Sequence, residues 1–331
     1  MTRSRIIRQC AIGTGGLAVG GLFLWLALRE VDVAELGTMI RGIDVSVLLG
    51  AALIYWVALG LRTLRWHLLL RELASVSLPG VAETLLVGYA VNNVLPARLG
   101  EVARAAYAKR RLRIGRARVF GSIVIERVLD LVAIMACLLI GLISMRLTDE
   151  VTRVPTFELI AINAGAVIGV IILALSMLRS GTFGRFRLPR TVEIVLADFC
   201  AGIATLNKNS LLLCTLLSAG VWLFEVVALS QVFTALGVHL SVTQALLLMG
   251  AASLSTLVPT APGYLGTYQL VCVLAMNVFG FSAAAGIAAA TATQIALFGS
   301  VTIAGLAIVI VRAVRRYALD GRAGLMGLVS P

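Results

Sequence analysis

A short segment in the first third of the chain combines side chains that bind phosphate with residues that break a helix. The segment is Ala90–Arg111, AVNNVLPARLGEVARAAYAKRR. Pro96 lacks a backbone donor and ends a helix, whereas Gly100 allows a tight return. Guanidinium groups, here those of Arg98 and Arg104, clamp phosphate through paired hydrogen bonds. We therefore interpret this break as a candidate site for an anionic headgroup.

Other polar residues of the same segment have roles that follow from the break. Asn92 and Asn93 can bond the carbonyl groups that a broken helix frees. Glu101 can pair with one of the two arginines or bind a proton that is coupled to transport. The alternative is that the segment only anchors the protein at the membrane edge, with its arginines reaching lipid headgroups.

A second group of charges lies inside an apolar run, in the stretch SIVIERVLDL. Glu126 and Asp130 share one helix face because they are four residues apart, and Arg127 lies between them. A charged side chain near the bilayer centre costs about 2.5–3.5 kcal/mol on insertion scales. We therefore expect these side chains to face the protein interior, with Arg98 or Arg104 as partners of the acids. They either serve transport or form an ion network that locks two segments together, and the two roles are compatible.

A third group is the broken segment Leu257–Gln269, LVPTAPGYLGTYQ. Its prolines and glycines interrupt a helix, and its hydroxyl and amide side chains suit the lining of a polar pocket. The breaking residues are Pro259, Pro262, Gly263 and Gly266, and the polar ones are Thr260, Tyr264, Thr267, Tyr268 and Gln269. The lone acid Glu225, in the apolar stretch VWLFEVVAL, is a further functional candidate because ionisable residues within a membrane are usually functional. Its alternative role is a hydrogen bond to a neighbouring helix while protonated.

These groups are embedded in an apolar chain. Hydrophobic residues make up 60% of the 331 residues and charged residues 13%, and the mean hydropathy is +1.00. Soluble domains are nearer to half apolar and a quarter charged. The composition therefore indicates an all-α polytopic integral membrane protein. We predict one transmembrane domain over residues 1–320 and a short tail over residues 321–331.

Several apolar runs are long enough to cross a membrane, which takes about 20 helical residues. The six predicted spans are Ala11–Leu28, Val45–Leu61, Val119–Met145, Leu159–Leu178, Leu211–Leu236 and Ala283–Val311. Two further apolar stretches, Val81–Leu95 and Ala245–Phe279, are broken by the prolines and glycines described above. The stretch Val192–Leu206 is apolar on one side and is predicted to lie along the membrane interface.

The charges between these runs predict the orientation. The net charge is +12, and basic residues collect in cytoplasmic loops. Arg98–Arg118 carries eight basic residues against one acid, Arg62–Arg71 is a further basic loop, and Arg29–Asp44 is acidic. All basic loops and both termini lie inside if the two broken stretches are re-entrant and enter from opposite faces, like an inverted repeat. Paired breaks of this kind point to a transporter's binding site. The alternative is two ordinary spans kinked by proline.

Other functional classes are disfavoured. The basic charge is explained by the loops, so we expect no nucleic-acid partner. The five cysteines are scattered without metal-ligand spacing, and the sequence carries no hydrolase, nucleotide-loop or zinc-protease motif. We therefore expect no metal, no cofactor and no catalytic residues.

Three blocks of the sequence resemble one family. NNVLPARLGEVARA, SIVIERVLDL and PGYLGTYQ are similar to the signature blocks of the lysylphosphatidylglycerol synthase transmembrane-region family, also described as flippase-like or UPF0104 proteins. The resemblance covers nearly the whole chain. It implies a domain that moves a lipid between leaflets, which in the bifunctional synthases is an aminoacylated phospholipid. A separate soluble domain attaches the amino acid there, and we expect no lysyl transfer from this chain.

The resemblance also assigns residues. The matching positions are Asn93, Pro96, Arg98, Gly100, Glu101, Arg104, Glu126, Arg127, Asp130, Pro262, Gly263 and Gly266. The chain departs from the pattern at Tyr264, where many relatives have glycine, and at Gln269, where they have an acid. If that acid couples protons in relatives, coupling here falls to Glu225 or the transport is passive.

The function predicted from these residues is a flippase of a prokaryotic cytoplasmic membrane. Its substrate is expected to be a phospholipid or a lipid-linked precursor such as a polyprenyl phosphate. The rival interpretation is a membrane scaffold for a separate glycosyltransferase or synthase, docked through the basic loop and the interfacial helix. An integral-membrane enzyme with Glu101 or Asp130 as base ranks last because no nucleophile or metal accompanies them. The sequence leaves open whether the chain forms a homo-oligomer.

Overall fold

The computed structural model describes residues 17–29, 31–95, 99–147, 165, 169, 208–257 and 261–327, the last range with side chains as far as Arg315. Over these residues the chain is helical and contains no strand. The helices are α1 (Leu17–Leu28), α2 (Val33–Arg41), α3 (Val45–Arg71), α4 (Leu78–Val94), α5 (Gly100–Arg111), α6 (Arg116–Leu147), α7 (Lys208–Ala235), α8 (Val242–Ser255), α9 (Thr267–Val278), α10 (Ala283–Thr293) and α11 (Gly299–Gly327).

The prediction of an all-α membrane protein is confirmed. Among the described residues, four helical segments are long and apolar enough to cross a membrane: Val45–Arg71, Arg116–Leu147, Asn209–Ala235 and Ala283–Arg315. Helix α10 continues into α11 through a π-helical turn, Gln294–Phe298. The predicted span Leu159–Leu178 and the predicted interfacial stretch Val192–Leu206 lie outside the described residues, apart from isolated positions of the former.

Helix α3 is longer than the sequence suggests. It begins after Asp44, whose carboxylate accepts hydrogen bonds from the backbone of Ser46 and Val47, and it continues to Arg71. The prediction of a span that ends at Leu61 and is followed by a basic loop was therefore wrong. The physical reason is that Arg62 and Arg65 are buried against acidic side chains, so they do not end the helix.

The first broken stretch is an antiparallel helical hairpin made of α4 and α5. Gly80 packs against Leu112 at its base, and Gly88 packs against the Arg104 side chain farther in. At its tip, the Gly100 N–H donates a 2.6 Å hydrogen bond to Oδ1 of Asn92. The segment predicted as a basic loop is thus mostly the returning arm of this hairpin.

The carboxylate of Glu83 connects the base of the first hairpin to α11 through ion pairs. Glu83 of α4 accepts a 2.9 Å hydrogen bond from Nε of Arg111 in α5. It also accepts hydrogen bonds of 2.8 and 2.7 Å from Nε and Nη2 of Arg312 in α11. The guanidinium groups of both arginines are partly exposed, so this fastening is ionic and accessible to solvent.

The second broken stretch is the hairpin made of α8 and α9, with a 3-10 turn at Pro262–Tyr264 between its arms. The backbone is left-handed at Gly263, at Tyr264 and at Gly266, with φ of 65°, 63° and 91°. Gly266 also lies against the carbonyl of Gly20 in α1, so a side chain there would collide with backbone. The turn therefore requires glycine at Gly266, because of both its positive φ and the close approach of Gly20. Tyr264 also adopts a conformation that glycine favours.

The two hairpins enter the helix bundle from opposite ends, as the loop charges predict. The first hairpin has its base where α6 begins, because only residues 112–115 separate α5 from α6. The second has its base where α6 ends, since Leu247 of α8 packs on Gly141 and Phe279 packs against the cluster of Leu142, Met145 and Leu247. Their tips meet, with the Asn93 carbonyl next to Gly263.

The helix packing has the pattern of an inverted repeat. Helices α3 and α7 run antiparallel. At one end of the pair the Asp44 N–H donates to the Ala235 carbonyl, and at the other end the Ser210 hydroxyl donates to Glu72. The first arm of each hairpin packs against the last long helix of the other half of the chain. Helix α4 lies antiparallel to α11, and α8 lies antiparallel to α6. This arrangement is what brings the two breaks together.

Candidate functional site

A cavity of about 490 Å³ lies where the two breaks meet. Among the described residues, the nine helices α3 to α11, the 3-10 turn and the π-helical turn all contribute to its wall. Several side chains that the sequence singles out line it: Asn92, Asn93, Glu101, Arg127, Asp130, Glu225, Tyr264 and Tyr268. Four separate segments of the sequence thus contribute to one site.

Glu225 is paired with an arginine that the sequence analysis placed in a loop. Nε and Nη2 of Arg62 donate hydrogen bonds of 2.9 and 2.6 Å to one oxygen of Glu225. Nη1 of Arg62 donates a 3.2 Å hydrogen bond to the hydroxyl of Tyr89 and lies 3.6 Å from Asp130. The Arg62 guanidinium also stands 5.4 Å from the ring centre of Trp222, within cation–π range.

Asp130 is held by Arg65, which is fully buried. Nη1 of Arg65 lies 2.8 Å from Oδ1 of Asp130 and donates a 2.7 Å hydrogen bond to the hydroxyl of Ser218. Its Nη2 lies 3.7 Å from Glu126. Arg65 therefore connects the two acids of α6 to helix α7 behind the cavity wall.

Arg104 binds Glu126 as the sequence predicts. Its Nη1 and Nη2 donate hydrogen bonds of 3.1 and 2.6 Å to the two oxygens of Glu126. The guanidinium lies 3.5 Å from the ring centre of Trp66, and Trp66 in turn donates to Ser122. Arg104 is buried and does not line the cavity, so its geometry suits it to orient Glu126.

Arg127 is the arginine of this cluster with the most exposed side chain. Its side chain is 38% exposed, against 10% for Arg62 and none for Arg65. Nη2 lies 3.0 Å from Glu126, Nη1 lies 3.7 Å from Asp130, and the residue lines the cavity. Arg127 is therefore placed to contact a ligand without leaving its acidic partners.

The buried cluster carries more positive than negative groups among the described residues. Four guanidinium groups, of Arg62, Arg65, Arg104 and Arg127, surround the three carboxylates of Glu126, Asp130 and Glu225. Mutual pairing offsets the cost of placing charges in an apolar surrounding. Glu101 also lines the cavity and makes no hydrogen bond or ion pair with the described residues.

The two asparagines of the first break have different partners. Asn92 caps the returning arm by accepting from the Gly100 N–H. Nδ2 of Asn93 donates to the carbonyl of Phe298 and, at 2.8 Å, to the hydroxyl of Thr302. The carbonyl that Asn93 bonds belongs to the π-helical turn and not to its own break, so Asn93 ties the first hairpin to the last long helix.

Two glutamines hold the second break in shape. Oε1 of Gln269 accepts a 2.8 Å hydrogen bond from the Gly266 N–H, and its Nε2 donates a 2.6 Å hydrogen bond to Oε1 of Gln294. Nε2 of Gln294 then donates to the carbonyl of Gly263 at 2.9 Å. This chain of three bonds closes the turn, which gives Gln269 a structural role where relatives are expected to have an acid. Pro262, Gly263, Gly266 and Gln269 shape the turn without lining the cavity.

Some predicted site residues lie outside the described residues, and two important ones were missed. The predicted residues outside the described ranges are Pro96, Arg98, Pro259 and Thr260. The residues that were missed are Arg62 and Arg65. Their spacing was a usable signal, because residues three apart share a helix face and three buried acids require cations.

Comparison with known proteins agrees with the three sequence blocks. Residues 14–305 match the family described as lysylphosphatidylglycerol synthase TM region. The chain is 27% identical to the glycosyltransferase AglD of Haloferax volcanii over 340 residues, covering 92% of this chain and 54% of that protein. It therefore spans about half the length of this relative.

Two further relatives are UPF0104 membrane proteins. One, from Methanothermobacter thermautotrophicus, is 24% identical over 88% of this chain and 93% of its own length. The other, from Methanocaldococcus jannaschii, is 29% identical over 59% of this chain and 82% of its own length. With the family match across most of its residues, this chain belongs to the lysylphosphatidylglycerol synthase TM region family of membrane proteins.

Proposed function

We propose that the protein moves a phosphate-bearing lipid between the leaflets of a membrane, with the headgroup in the cavity between the two breaks. One observation carries this proposal: two re-entrant hairpins from opposite ends meet at a single cavity lined by arginines and acids. Irregular backbone at membrane depth is tolerated where it is buried in protein or lines a wet cavity. Paired broken helices in two halves of a chain are typical of transporter binding sites.

The cavity suits a molecule with a polar and an apolar part. Its volume of about 490 Å³ falls within the range of about 300–1,000 Å³ for small-molecule sites. Arg62 and Arg127 supply guanidinium groups for a phosphate. The lining also has apolar side chains, which include Ile123, Leu131, Leu229, Met249, Leu297 and Val301. The headgroup would occupy the charged part while the acyl or polyprenyl tails stay in the lipid.

We propose Arg127, in place of Arg104, as a phosphate contact. Both oxygens of Glu126 are bonded to Arg104, whose guanidinium is buried. Arg127 is partly exposed and lines the cavity. Arg98, on the break itself, stays in the proposal as a sequence-based contact.

The location in the cell is also part of the proposal. The basic segments favour a prokaryotic cytoplasmic membrane with both termini inside. The proposal includes no chemical change of the substrate.

A liposome assay tests this function. The full-length protein is reconstituted into vesicles with a fluorescent anionic phospholipid, and movement between leaflets is followed by quenching from outside. We expect Arg127→Gln to slow transport roughly 10- to 100-fold, the range for losing one charged hydrogen bond of about 1.5–3 kcal/mol. The matched control is Arg146→Gln, an exposed arginine at the far end of the same helix, which should transport like wild type.

Thermal unfolding of each variant separates loss of transport from loss of fold. Equal rates for the wild type, Arg127→Gln and protein-free vesicles would disprove the proposal. Arg98→Gln is measured in parallel and should also transport more slowly than wild type.

A second candidate function is that of an accessory subunit for a separate glycosyltransferase. It is favoured by the likeness to a protein named as a glycosyltransferase, of which this chain spans about half. The exposed side chains of Arg110, Arg113 and Arg116, near the base of the first hairpin, would form the docking surface. This function predicts co-purification with a partner enzyme and greater harm from changes at these arginines than from changes at Glu126 or Asp130.

A further inference from the structure

We propose that the transported headgroup is rich in hydroxyl groups, a sugar or another polyol joined to the lipid through phosphate. This inference rests on the proposed transport function and names the substrate class for the same cavity. Three independent features of the cavity wall lead to it: its mixed charge, its unpaired polar atoms and its aromatic surface.

The charges that line the cavity do not suit a bare phosphate. Among the described residues, the lining contains two guanidinium groups, of Arg62 and Arg127, but three carboxylates, of Glu101, Asp130 and Glu225. Carboxylates repel phosphate and can only accept hydrogen bonds when ionised. A hydroxyl group both donates and accepts, so a polyol can satisfy carboxylates and guanidinium groups side by side.

Buried polar atoms on the cavity wall lack hydrogen-bond partners. The indole N–H of Trp222 and Nε of Arg127 are donors without an acceptor among the described residues. The oxygens of Asp130 lie in ion pairs but have no partner in hydrogen-bond geometry. Trp222 is only 5% exposed, and an unsatisfied buried group costs about 1–3 kcal/mol. The Trp222 and Arg127 donors match the acceptor oxygens of hydroxyl groups, and the ion-paired Asp130 carboxylate can still accept from their O–H groups.

An aromatic surface lies beside these polar groups. The ring of Phe298 is packed against the rings of Tyr55, Tyr264 and Tyr268, with centroids 6.2, 6.4 and 5.8 Å apart, and all four residues line the cavity. Such rings offer apolar area with a polar tip, which fits a sugar ring that has C–H bonds on its faces and hydroxyls at its edge. The neutral side chains of Asn92, Ser253 and Thr256 complete this part of the lining.

An ammonium headgroup fits the same wall less well. The carboxylates of Glu225 and Asp130 are already within ion-pair distance of Arg62 and Arg65. An ammonium group only donates hydrogen bonds, so it leaves the Trp222 and Arg127 donors unpaired.

The test compares lipids with different headgroups, three of which have identical tails. The reconstituted full-length protein is given fluorescent phosphatidylinositol, phosphatidic acid and phosphatidylethanolamine with identical tails, and separately a glucosyl-phosphate polyprenol. We expect the inositol lipid, the glucosyl lipid or both to be transported faster than phosphatidic acid and phosphatidylethanolamine. Whichever of the inositol and glucosyl lipids is transported faster identifies the source of the hydroxyl groups. Equal or faster transport of phosphatidic acid or phosphatidylethanolamine would overturn the inference and leave transport itself intact. No transport of any lipid would reject both.

Trp222→Phe tests the hydrogen bond specifically, because phenylalanine keeps an aromatic ring and removes the indole N–H. We expect the ratio of phosphatidylinositol to phosphatidic acid transport to fall about fivefold, the effect of one hydrogen bond of about 1 kcal/mol. The control is Trp56→Phe, whose N–H already bonds Ser300 and which does not line the cavity. The control should keep the wild-type ratio. An unchanged ratio in Trp222→Phe would contradict the role of this side chain in recognising hydroxyls.

Discussion

Arg62 and Glu225 join the two halves of the chain inside the helix bundle. The residues are 163 positions apart, and Nε and Nη2 of the arginine donate to a single carboxylate oxygen at 2.9 and 2.6 Å. The bond crosses between α3 and α7 at the wall of the cavity. It explains how an arginine and a glutamate can be buried within two helices of membrane-spanning length.

Removal of either partner of this pair should destabilise the protein. Arg62→Met or Glu225→Met leaves the other charge buried without its main partner, which costs about 3–5 kcal/mol. The double variant should lose clearly less stability than the sum of the two single losses, because it leaves neither charge buried without its partner. Unfolding by denaturant in detergent measures these differences. Arg71→Met is the control, because this half-exposed arginine at the end of the same helix contacts Glu72 only at 3.9 Å and should change stability by less than about 1 kcal/mol. Additive losses would show that the pair is not coupled.

Two glycines with left-handed backbone allow the cost of conformational strain to be measured separately from the cost of close packing. Gly266 has φ of 91° and lies against the carbonyl of Gly20, whereas Gly280 has φ of 80° and open space around it. Gly280→Ala should cost about 1–2 kcal/mol, the penalty of a left-handed residue with a side chain. Gly266→Ala should cost more, because α1 must also shift. Thermal unfolding of both variants tests this order, and similar losses would contradict the close approach of α1.

The glutamine pair at the second break should behave as a unit. Gln269→Leu leaves the Gly266 N–H and Oε1 of Gln294 without partners, which costs about 1–3 kcal/mol. Gln294→Leu strands the Gly263 carbonyl in the same way. A double-mutant cycle should give an interaction energy of about 0.5–3 kcal/mol, as is usual for residues in one hydrogen-bond network. An interaction energy of zero would mean that the two amides act independently.

The entry of the hairpins from opposite ends can be tested by chemical labelling. Ser77 and Ser241 are exposed serines at the starts of α4 and α8. Each is changed to cysteine in a background without the five native cysteines. A maleimide that cannot cross the membrane should label Ser77→Cys only in opened cells and Ser241→Cys in intact cells. Labelling of both from the same side would reject this topology.

Much of the fold follows from local features of the sequence. The broken stretch predicted over Val81–Leu95 corresponds to α4 at Leu78–Val94, since its end depends on the adjacent break at Pro96. The second hairpin is bounded by Ser241, whose hydroxyl caps α8, and by Gly280 beyond α9. Hydropathy, proline and glycine are short-range signals, so they locate helices and breaks well.

The site was only partly predictable because its partners are distant in sequence. The link between Arg104 and Glu126 could be anticipated, since a short connection brings the returning arm beside α6. Arg62 looked like the start of a loop because its partner Glu225 is far along the chain. Gln294 gave no signal at all, because its role depends on a π-helical turn that places it over the second break.

The two hairpins are fastened at their bases by different forces. Glu83 holds the first through ion pairs with Arg111 and Arg312, whose guanidinium groups are partly exposed. Leu247 holds the second by packing into the space left by Gly141. Dissolved salt screens exposed ion pairs, whereas it leaves apolar packing intact or strengthens it. Rising ionic strength therefore loosens one end of the cavity selectively, and the two ends of a nearly symmetric fold respond differently to the same solution.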